Sequence, residues 1–300
     1  KRLHSFDHAK DLAVHPRNPD IVLLNESHYV WRTDTGGKIR SLPQFMEDTG
    51  FSVVLESPYG FGPDTTSWSS IEISLSEPDV VYVSMKGSRP YEGIIGESET
   101  IQALYRSNNS GLSFDQIEGI FPVINVLFIH PSNPNILLIG SDDGLYRSTD
   151  AGRSLIRVSE QWHFRDVVDI DSHEGNLMLA ATSTGIVRSQ DGGLTWDRSS
   201  EALSDHIVLR VQIAPSEPSI VWATTNEGIY RSSDSGRTWN EASGDLPAKN
   251  FQALAIHPLN SETVLVSTET FNFSVRSPHP YMPGQYYGQG IYRTDDGGAT

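Results

Sequence analysis

The chain has 300 residues, a formal net charge of −16 and no cysteine. The acidic excess disfavours DNA, RNA and anionic membranes as partners, and the lack of cysteine excludes disulfides and thiol chemistry. No apolar run is long enough to cross a bilayer, so we expect a soluble monomer without membrane insertion. Composition leaves the compartment open between the cytoplasm and secretion with the signal removed.

A two-strand unit recurs along the chain. Each copy has an apolar strand, a turn rich in Pro, Asn or Ser, and a second strand with high β-propensity. In chain order the copies read "LAVHPRNPDIVLL", "ISLSEPDVVYVS", "FIHPSNPNILLIG", "DIDSHEGNLMLAAT", "IAPSEPSIVWAT" and "AIHPLNSETVLVS", beginning at Leu12, Ile73, Phe128, Asp169, Ile213 and Ala255.

A second phrase follows each of these units, and its flanks predict a strand, a tight turn and another strand. It reads "RSQDGGLTW" from Arg188 and "RSSDSGRTW" from Arg231, with weaker copies from Arg32, Arg106, Arg147 and Arg293. The Asp position holds Thr35 and Asn109 in two copies, which a catalytic or metal role would not tolerate. We therefore interpret the phrase as a structural turn, in which Asp bonds backbone amides and Gly takes positive φ.

The turn phrase resembles the Asp-box, or BNR repeat, because Ser189–Trp196 matches every position of Ser-x-Asp-x-Gly-x-Thr-Trp. The resemblance extends over the whole chain through six copies. It implies a β-propeller of the kind found in sialidases, sortilin-type receptors, xyloglucan-degrading endoglucanases and photosystem II assembly factors, but a fold does not fix a function. The predicted structural residues of these boxes are Asp150, Asp191, Asp234, Asp296, Trp196 and Trp239.

Four short strands in about 40 residues is the period of a propeller blade. We predict an all-β, six-bladed propeller of four-stranded antiparallel blades, which the segment Lys1–Phe6 closes as the missing outer strand of the last blade. A seven-bladed ring is the alternative, and it would need about one further period of ~40 residues. The whole chain is then a single domain, with approximate blades at 10–45, 69–120, 123–160, 165–203, 207–247 and 250–300 plus 1–6.

Insertions into a repeated scaffold are where function is expected. Three stand out, at Ser41–Ser70, Gly87–Glu99 and Phe271–Gly290, and strand topology predicts that all three emerge on the face opposite the boxes. Their aromatic residues suit the apolar faces of sugar rings, and the alternative is that they fold their own loops into a small core. The predicted ligand-binding residues here and in a facing loop are Tyr59, Trp68, Arg89, Tyr91, Trp162, Arg165, Tyr281, Tyr286 and Tyr287.

A variable row on the first strand of each unit provides a second group of candidates. It places Asp11, Glu72, Asp169, Arg210 and Gln212 around the predicted channel mouth. These side chains could bind a ligand or do acid–base work, and they could equally pair with one another through buried water.

Two functions from different classes remain open. The first is a non-catalytic propeller that binds a glycan or a protein segment on the insertion face. The alternative is a glycoside hydrolase of sialidase-like or xyloglucanase-like type, with Glu72 and Asp169 as catalytic residues. The chain has no Arg-Ile-Pro phrase of the sialidases and is too short for the two propellers of the xyloglucanases. We favour the binding function and expect no cofactor and no metal.

Overall fold

A computed structural model describes residues 9–26, 28–36, 52–57, 67–90, 98–158, 165–199, 201–244, 246, 251–268 and 290–299. In this part of the chain the regular structure is almost entirely β, with strands β1 to β23 and a short 3-10 helix at Glu201–Leu203. None of the described helical structure has the length and apolar character needed to cross a membrane. The strands form six sheets, each with its strands in chain order and antiparallel to their neighbours.

The chain divides into two compact units, Lys1–Asp166 and Val167–Thr300. The first unit contains three four-stranded sheets. Their strands are β1 Ala9–Val14, β2 Val22–Glu26, β3 Tyr29–Thr33 and β4 Ser52–Glu56; β5 Ser67–Ile73, β6 Val81–Pro90, β7 Ser98–Ser107 and β8 Asp115–Ile117; and β9 Ile124–Ile129, β10 Leu137–Ser141, β11 Gly144–Ser148 and β12 Ile156–Arg157.

The second unit contains two four-stranded sheets and one with three strands among the described residues. Their strands are β13 Asp169–His173, β14 Leu177–Thr182, β15 Gly185–Ser189 and β16 Asp197–Arg198; β17 Val208–Ile213, β18 Val221–Thr225, β19 Ile229–Ser232 and β20 Asn240–Glu241; and β21 Phe251–His257, β22 Asn260–Thr268 and β23 Ile291–Thr294.

Neighbouring sheets within a unit pack face to face, and this explains the composition of their second strands. All five residues of β10 and all five of β18 are buried, because a strand covered on both faces reads as a continuous apolar run rather than an alternation. The core between the first two sheets joins Leu23 from β2 to Trp68 and Ile71 from β5. Outer strands such as β12 and β16 are exposed and only two residues long.

The first repeat differs from its predicted boundaries. Its fourth strand, β4, lies at Ser52–Glu56 and pairs with β3, beyond the predicted limit at residue 45. The insertion at Ser41–Ser70 is therefore not a single loop. It contains β4 and the first residues of β5, and residues 41–51 and 58–66 lie outside the described part of the chain.

Both described ends of the second insertion belong to a β-ladder. Strands β6 and β7 pair continuously from Val81 and Ser107 out to Pro90 and Ser98, and residues 91–97 lie outside the described part of the chain. The third insertion and the proposed closing segment Lys1–Phe6 lie outside the described residues. Closure by Lys1–Phe6 therefore stays a prediction.

Candidate functional site

The aspartates of the repeated turns are held by local hydrogen bonds. The carboxylate of Asp234 accepts bonds from the amides of Arg237 and Thr238 at 3.0 and 2.8 Å and from the Thr238 hydroxyl at 2.7 Å. Asp191 has the same set of partners one repeat earlier. Partial burial alone would raise the pKa of Asp234, but these bonds to Thr238, Ser232 and Arg237 lower the pKa to about 2.

The same geometry persists where the carboxylate is absent. In the second repeat the side-chain oxygen of Asn109 accepts bonds from the amides of Leu112 and Ser113 at 3.1 and 3.0 Å. An amide oxygen thus replaces the carboxylate without loss of the turn, which assigns these side chains a local structural contact.

Several of the repeated turns also dock against the preceding sheet. The residue after the Asp position has positive φ even where it is not glycine, at Ser110, Ala151 and Ser235. The following glycine is also left-handed, with φ of 89° at Gly152 and 78° at Gly236. A Cβ on Gly236 would lie 2.8 Å from a methyl group of Leu179, in the preceding sheet. Glycine is therefore required twice over, for backbone conformation and for close approach.

Three of the arginines that precede the turns bond to the next repeat. Arg32 Nε donates to the carbonyl of Ser110 at 2.9 Å, and Arg188 Nε donates to the carbonyl of Ser235 at 2.8 Å. Arg231 instead donates through Nη2 to Glu262 Oε1 at 2.5 Å. These arginines join successive sheets.

Several polar residues of the first strands make cross-sheet hydrogen bonds. In such a bond a side-chain oxygen of one sheet accepts from a backbone N–H of the next sheet. Asp11 accepts from the amide of Ile71 at 2.9 Å, and Asp169 accepts from the amide of Val211 at 2.9 Å. Gln212 likewise accepts from the amide of Ile256 at 3.0 Å. Three of the five residues predicted to line a channel mouth therefore connect sheets.

The other two members of that row have different positions. Arg210 is exposed, and its Nη1 donates to the carbonyl of the adjacent Leu209. Glu72 is partly buried in β5, in the pair with Tyr82 of β6. Glu72 belongs to the first unit and Asp169 to the second.

Asp171 is a titratable residue that the sequence reading did not select. Its carboxylate accepts a 2.6 Å bond from the amide of Ile213 and a 2.8 Å bond from the amide of Ser172. The pKa of Asp171 is raised to about 7, chiefly because the carboxyl group is enclosed by protein. The negative charge of Asp169 adds to the rise, and the bonds from the Ile213 and Ser172 amides oppose it. The two carboxyl groups lie on the same face of β13, because alternate residues of a strand point the same way.

Trp68 was predicted to stack on a ligand, and its environment does not allow this. The residue has 0% exposure and packs edge-on against Tyr105 at a centroid distance of 5.3 Å. It lies in β5, which begins at Ser67. The predicted second blade began at residue 69, so the sequence analysis assigned Trp68 to the insertion instead of the sheet. Its size and position make it a plug between the first two sheets.

Most of the other predicted ligand-binding residues lie outside the described part of the chain. This applies to Tyr59, Tyr91, Trp162, Tyr281, Tyr286 and Tyr287, and to the side chain of Arg89. Arg165 is described and exposed. Binding of a ligand by these aromatic residues therefore stays a prediction, and those in the first and last repeats belong to different units.

A chain of polar side chains lies at the end of the first unit from which the β6–β7 hairpin extends. Lys86 Nζ donates to Asn125 Oδ1 at 2.7 Å, and Asn125 Nδ2 donates to Asp142 Oδ1 at 2.7 Å. These three residues come from β6, from the start of β9 and from the turn after β10. The sequence offers a weak signal for them, because Asn125 lies at the start of a strand and Asp142 just after one, and neither lies in an insertion.

The second unit has a polar cluster at the corresponding strand ends. The Tyr230 hydroxyl lies 2.9 Å from His206 Nε2, which is 3.8 Å from a Glu227 carboxylate oxygen. Burial raises the pKa of Tyr230, and the negative charges of Glu241 and Glu227 add to the effect. In the residues described, no three His, Asp or Glu side chains are close enough together to hold a metal ion.

Comparison with known proteins identifies the fold as a β-propeller. A family model for Sortilin-Vps10, described as "Sortilin, neurotensin receptor 3", matches residues 184–300. No curated protein sequence matches the chain. The chain is similar to the GH74 enzyme of Niastella koreensis, with 16% identity and a TM-score of 0.67 over 98% of this chain and 44% of that one.

Two further solved structures give the same result. The GH74 xyloglucanase of Xanthomonas campestris is 15% identical with a TM-score of 0.67, over 97% of this chain and 44% of that chain. YCF48 of Cyanidioschyzon merolae is 13% identical with a TM-score of 0.50, over 88% of this chain and 94% of that chain. The chain thus spans less than half the length of the GH74 proteins. It is a propeller similar to the sortilin and xyloglucanase types, and these identities establish fold rather than activity.

Proposed function

We propose that the chain is a non-catalytic binding propeller, which recognises a glycan or a protein segment at the ends of its strands opposite the repeated turns. The proposal rests on the hydrogen bond that already occupies the candidate catalytic carboxylate, Asp169. Asp169 is hydrogen-bonded to the backbone of the next sheet, and Asp11 is bonded in the same way. A carboxylate that joins two sheets is poorly placed to exchange protons with a substrate.

The binding surface in the first unit is built from the long hairpin and the polar chain beside it. The β6–β7 ladder continues to Pro90 and Ser98, well beyond the length of the other hairpins in this unit. Lys86, Asn125 and Asp142 offer donors and acceptors at its base. Sugars and peptide backbones both need such paired donors and acceptors, together with an apolar surface. The segment that precedes β5 in the sequence contains Tyr59 and Phe61, which would supply aromatic rings if it reaches this surface.

The test is a glycan array run beside a panel of extended peptides, followed by titration of the best ligand. Lys86→Ala and Asn125→Ala should weaken binding by about tenfold or more, the loss expected for a hydrogen bond to a charged group. Gln116→Ala, on the exposed outer strand β8, is the matched control and should not change affinity. Equal affinity for all four proteins would contradict the proposed surface.

A glycoside hydrolase is the second candidate, favoured by the adjacent carboxyl groups of Asp169 and Asp171 and by the likeness to GH74 structures. The raised pKa of Asp171 keeps a proton available near neutral pH, as a general acid requires. Chromogenic glycosides test it directly. Turnover that Asp169→Asn or Glu72→Gln abolishes without loss of affinity would establish the enzyme and displace the binding proposal.

A further inference from the structure

A polar pocket lies in the second unit, where the repeated turns of the fourth and fifth repeats meet. It has a volume of about 220 Å³, and every residue that lines it is polar or charged. Three of these residues are arginines, Arg188, Arg198 and Arg237, and two are aspartates, Asp191 and Asp197. The pocket is therefore locally cationic in a chain whose formal net charge is −16.

Arg237 brings an unengaged guanidinium group to this pocket. Its backbone N–H donates to the carboxylate of Asp234 at 3.0 Å, which fixes the base of the side chain within the turn. The residue is exposed, and its guanidinium makes no hydrogen bond or ion pair in the part of the chain that the structure describes. Its charge is available to a ligand.

Arg188 faces the pocket with only part of its guanidinium in use. Its Nε donates to the carbonyl of Ser235 at 2.8 Å, which orients the planar group, and the two terminal nitrogens carry four more N–H donors. Burial lowers the pKa of Arg188, and the positive charge of Arg237 lowers it further against the effect of Asp234. These two like charges repel each other, and an anion bound between them would remove the repulsion.

The two aspartates of the pocket do not neutralise the arginines. The Asp191 carboxylate accepts bonds from the amides of Leu194 and Thr195 and from the Thr195 hydroxyl, all within its own turn. Asp197 lies opposite Arg188 in the register of β15 and β16. No ion pair joins these two residues in the described structure, so the positive charge of the pocket is not cancelled by a direct contact.

A hydrogen-bonded junction holds the pocket walls in place. Ser199 Oγ accepts a bond from Trp239 Nε1 at 2.7 Å and donates to the carbonyl of Gly236. These bonds connect the end of β16 to the turn that carries Arg237. Both walls are thus fixed before a ligand arrives, and binding would not have to order them.

We propose that the pocket between Arg188 and Arg237 binds a tetrahedral oxyanion, either as a free phosphate or sulfate ion or as the same group esterified to a small molecule. The planar guanidinium fork donates two parallel hydrogen bonds to such an anion, and these charge-assisted bonds are stronger than neutral ones. A cavity of about 150 Å³ accepts benzene, so this pocket has room for the smaller phosphate group. The site goes beyond the proposed function, since it uses no residue of the first unit.

The test titrates inorganic phosphate, inorganic sulfate and phenyl phosphate separately into the full chain. Sodium chloride keeps the ionic strength constant, and the arginine side-chain NMR signals report binding. The signals of Arg188 and Arg237 should shift saturably. Arg237→Gln should weaken binding by about tenfold or more, the loss expected for a hydrogen bond to a charged group. Asp197→Asn should strengthen binding by about two- to fivefold, because it removes a negative charge from the pocket wall.

Arg153→Gln is the matched control. It removes the same charge from the equivalent position of the third repeat's turn, where Arg153 Nη1 already donates to the carbonyl of Asp150 at 3.2 Å, and it should leave affinity unchanged. Arg188→Lys keeps the charge but loses the fork, so it should also weaken binding if its unfolding midpoint shows that it folds.

The three anions distinguish the sources of the oxyanion. Tighter binding of phenyl phosphate than of phosphate would assign the site to an ester, and equal or weaker binding would assign it to a free ion. Equal affinity of the parent and Arg237→Gln would overturn the proposal. Equal losses for Arg153→Gln and Arg237→Gln would do the same, because they would reflect net charge and not a site. None of these results depends on the glycan or peptide surface of the first unit.

Discussion

At the scale of single residues, the structure separates aspartates that hold turns from aspartates that join sheets. Asp191 and Asp234 bond within their own turn, whereas Asp11 and Asp169 bond to another sheet. All four are carboxylates near strand ends, so the sequence alone does not separate the two roles. The hydrogen-bond partner of each aspartate depends on its position. An aspartate in a repeated turn bonds within that turn, and an aspartate in the first strand of a sheet bonds to the next sheet.

Asp234→Ala should lower the free energy of unfolding by about 1–2 kcal/mol, because two amides and a hydroxyl lose their acceptor. Urea denaturation measures this loss. Asp197→Ala, on the exposed strand β16, is the control and should stay within about 0.5 kcal/mol of the parent. Ligand binding by the folded protein should not change, and selective loss of binding would mean that the turn itself forms the site.

Asp171 should make stability depend on pH in the direction opposite to the turn aspartates. Its folded pKa of about 7 lies above the ordinary value, so the folded state binds more protons than the unfolded state between about pH 4 and 7. Its contribution therefore favours folding at the acidic end of this window and is lost as the pH rises towards 7. Denaturation of the parent and of Asp171→Asn at pH 5 and pH 8 measures the difference.

The parent should gain stability relative to Asp171→Asn when the pH is lowered from 8 to 5. Asp205→Asn, at an exposed position of the same unit, should follow the parent. A constant difference between the parent and Asp171→Asn across this range would contradict the raised pKa.

At the scale of elements, the repeated turns are docking devices as well as hairpin connections. In several of these turns two consecutive residues are left-handed, and the second of them is a glycine that approaches the preceding sheet closely. Gly152 approaches Leu104 in this way, and Gly236 approaches Leu179. The sequence predicts the turn and its glycine. It does not predict the leucine opposite, because that contact depends on how two sheets pack.

Gly236→Ala should destabilise the protein by about 1–3 kcal/mol, since alanine is strained at φ of 78° and its methyl group would overlap Leu179. Gly290→Ala is the matched control, because a Cβ there meets nothing within 4 Å and its φ is ordinary. Thermal unfolding of both variants measures the contrast. Equal midpoints would show that the turn can move away from the sheet at little cost.

A cross-sheet hydrogen bond should tolerate a change of charge better than loss of its acceptor. Asp11→Ala leaves the Ile71 amide without its partner and should cost about 1–3 kcal/mol, while Asp11→Asn keeps an oxygen in place and should cost less. Chemical denaturation measures both. A larger loss for asparagine than for alanine would mean that the negative charge of Asp11 matters more than its hydrogen bond.

At the scale of the whole molecule, the repeat period, the strand content and the order of strands follow from the sequence. The six copies of "turn, strand, tight turn, strand" predict six sheets because each copy contains its own local signals, such as Gly192 and Gly193 after Asp191. The site is less predictable. Trp68 reads as an exposed aromatic near an insertion, and only the packing of two sheets shows that it is buried.

Net charge gives a prediction for the molecule as a whole. A formal charge of −16 on 300 residues produces self-repulsion in the compact state, which salt screens. Raising sodium chloride from 0.05 to 0.5 M at pH 8 should increase the unfolding midpoint by a few degrees. Potassium chloride should act in the same way, because the effect depends on ionic strength, and a falling midpoint in both salts would contradict it.

The direction of the bonds between repeats has a consequence for how such a chain can evolve. In five of these bonds the earlier repeat contributes a side chain and the later repeat contributes a backbone amide or carbonyl. The side chains are those of Asp11, Arg32, Asp169, Arg188 and Gln212. A backbone group is present whatever the residue, apart from the missing N–H of proline. A duplicated or substituted repeat can therefore be accepted by its predecessor before its own side chains have adapted. Repeats joined in this way can diverge in sequence while their order along the chain and the bonds between them are kept.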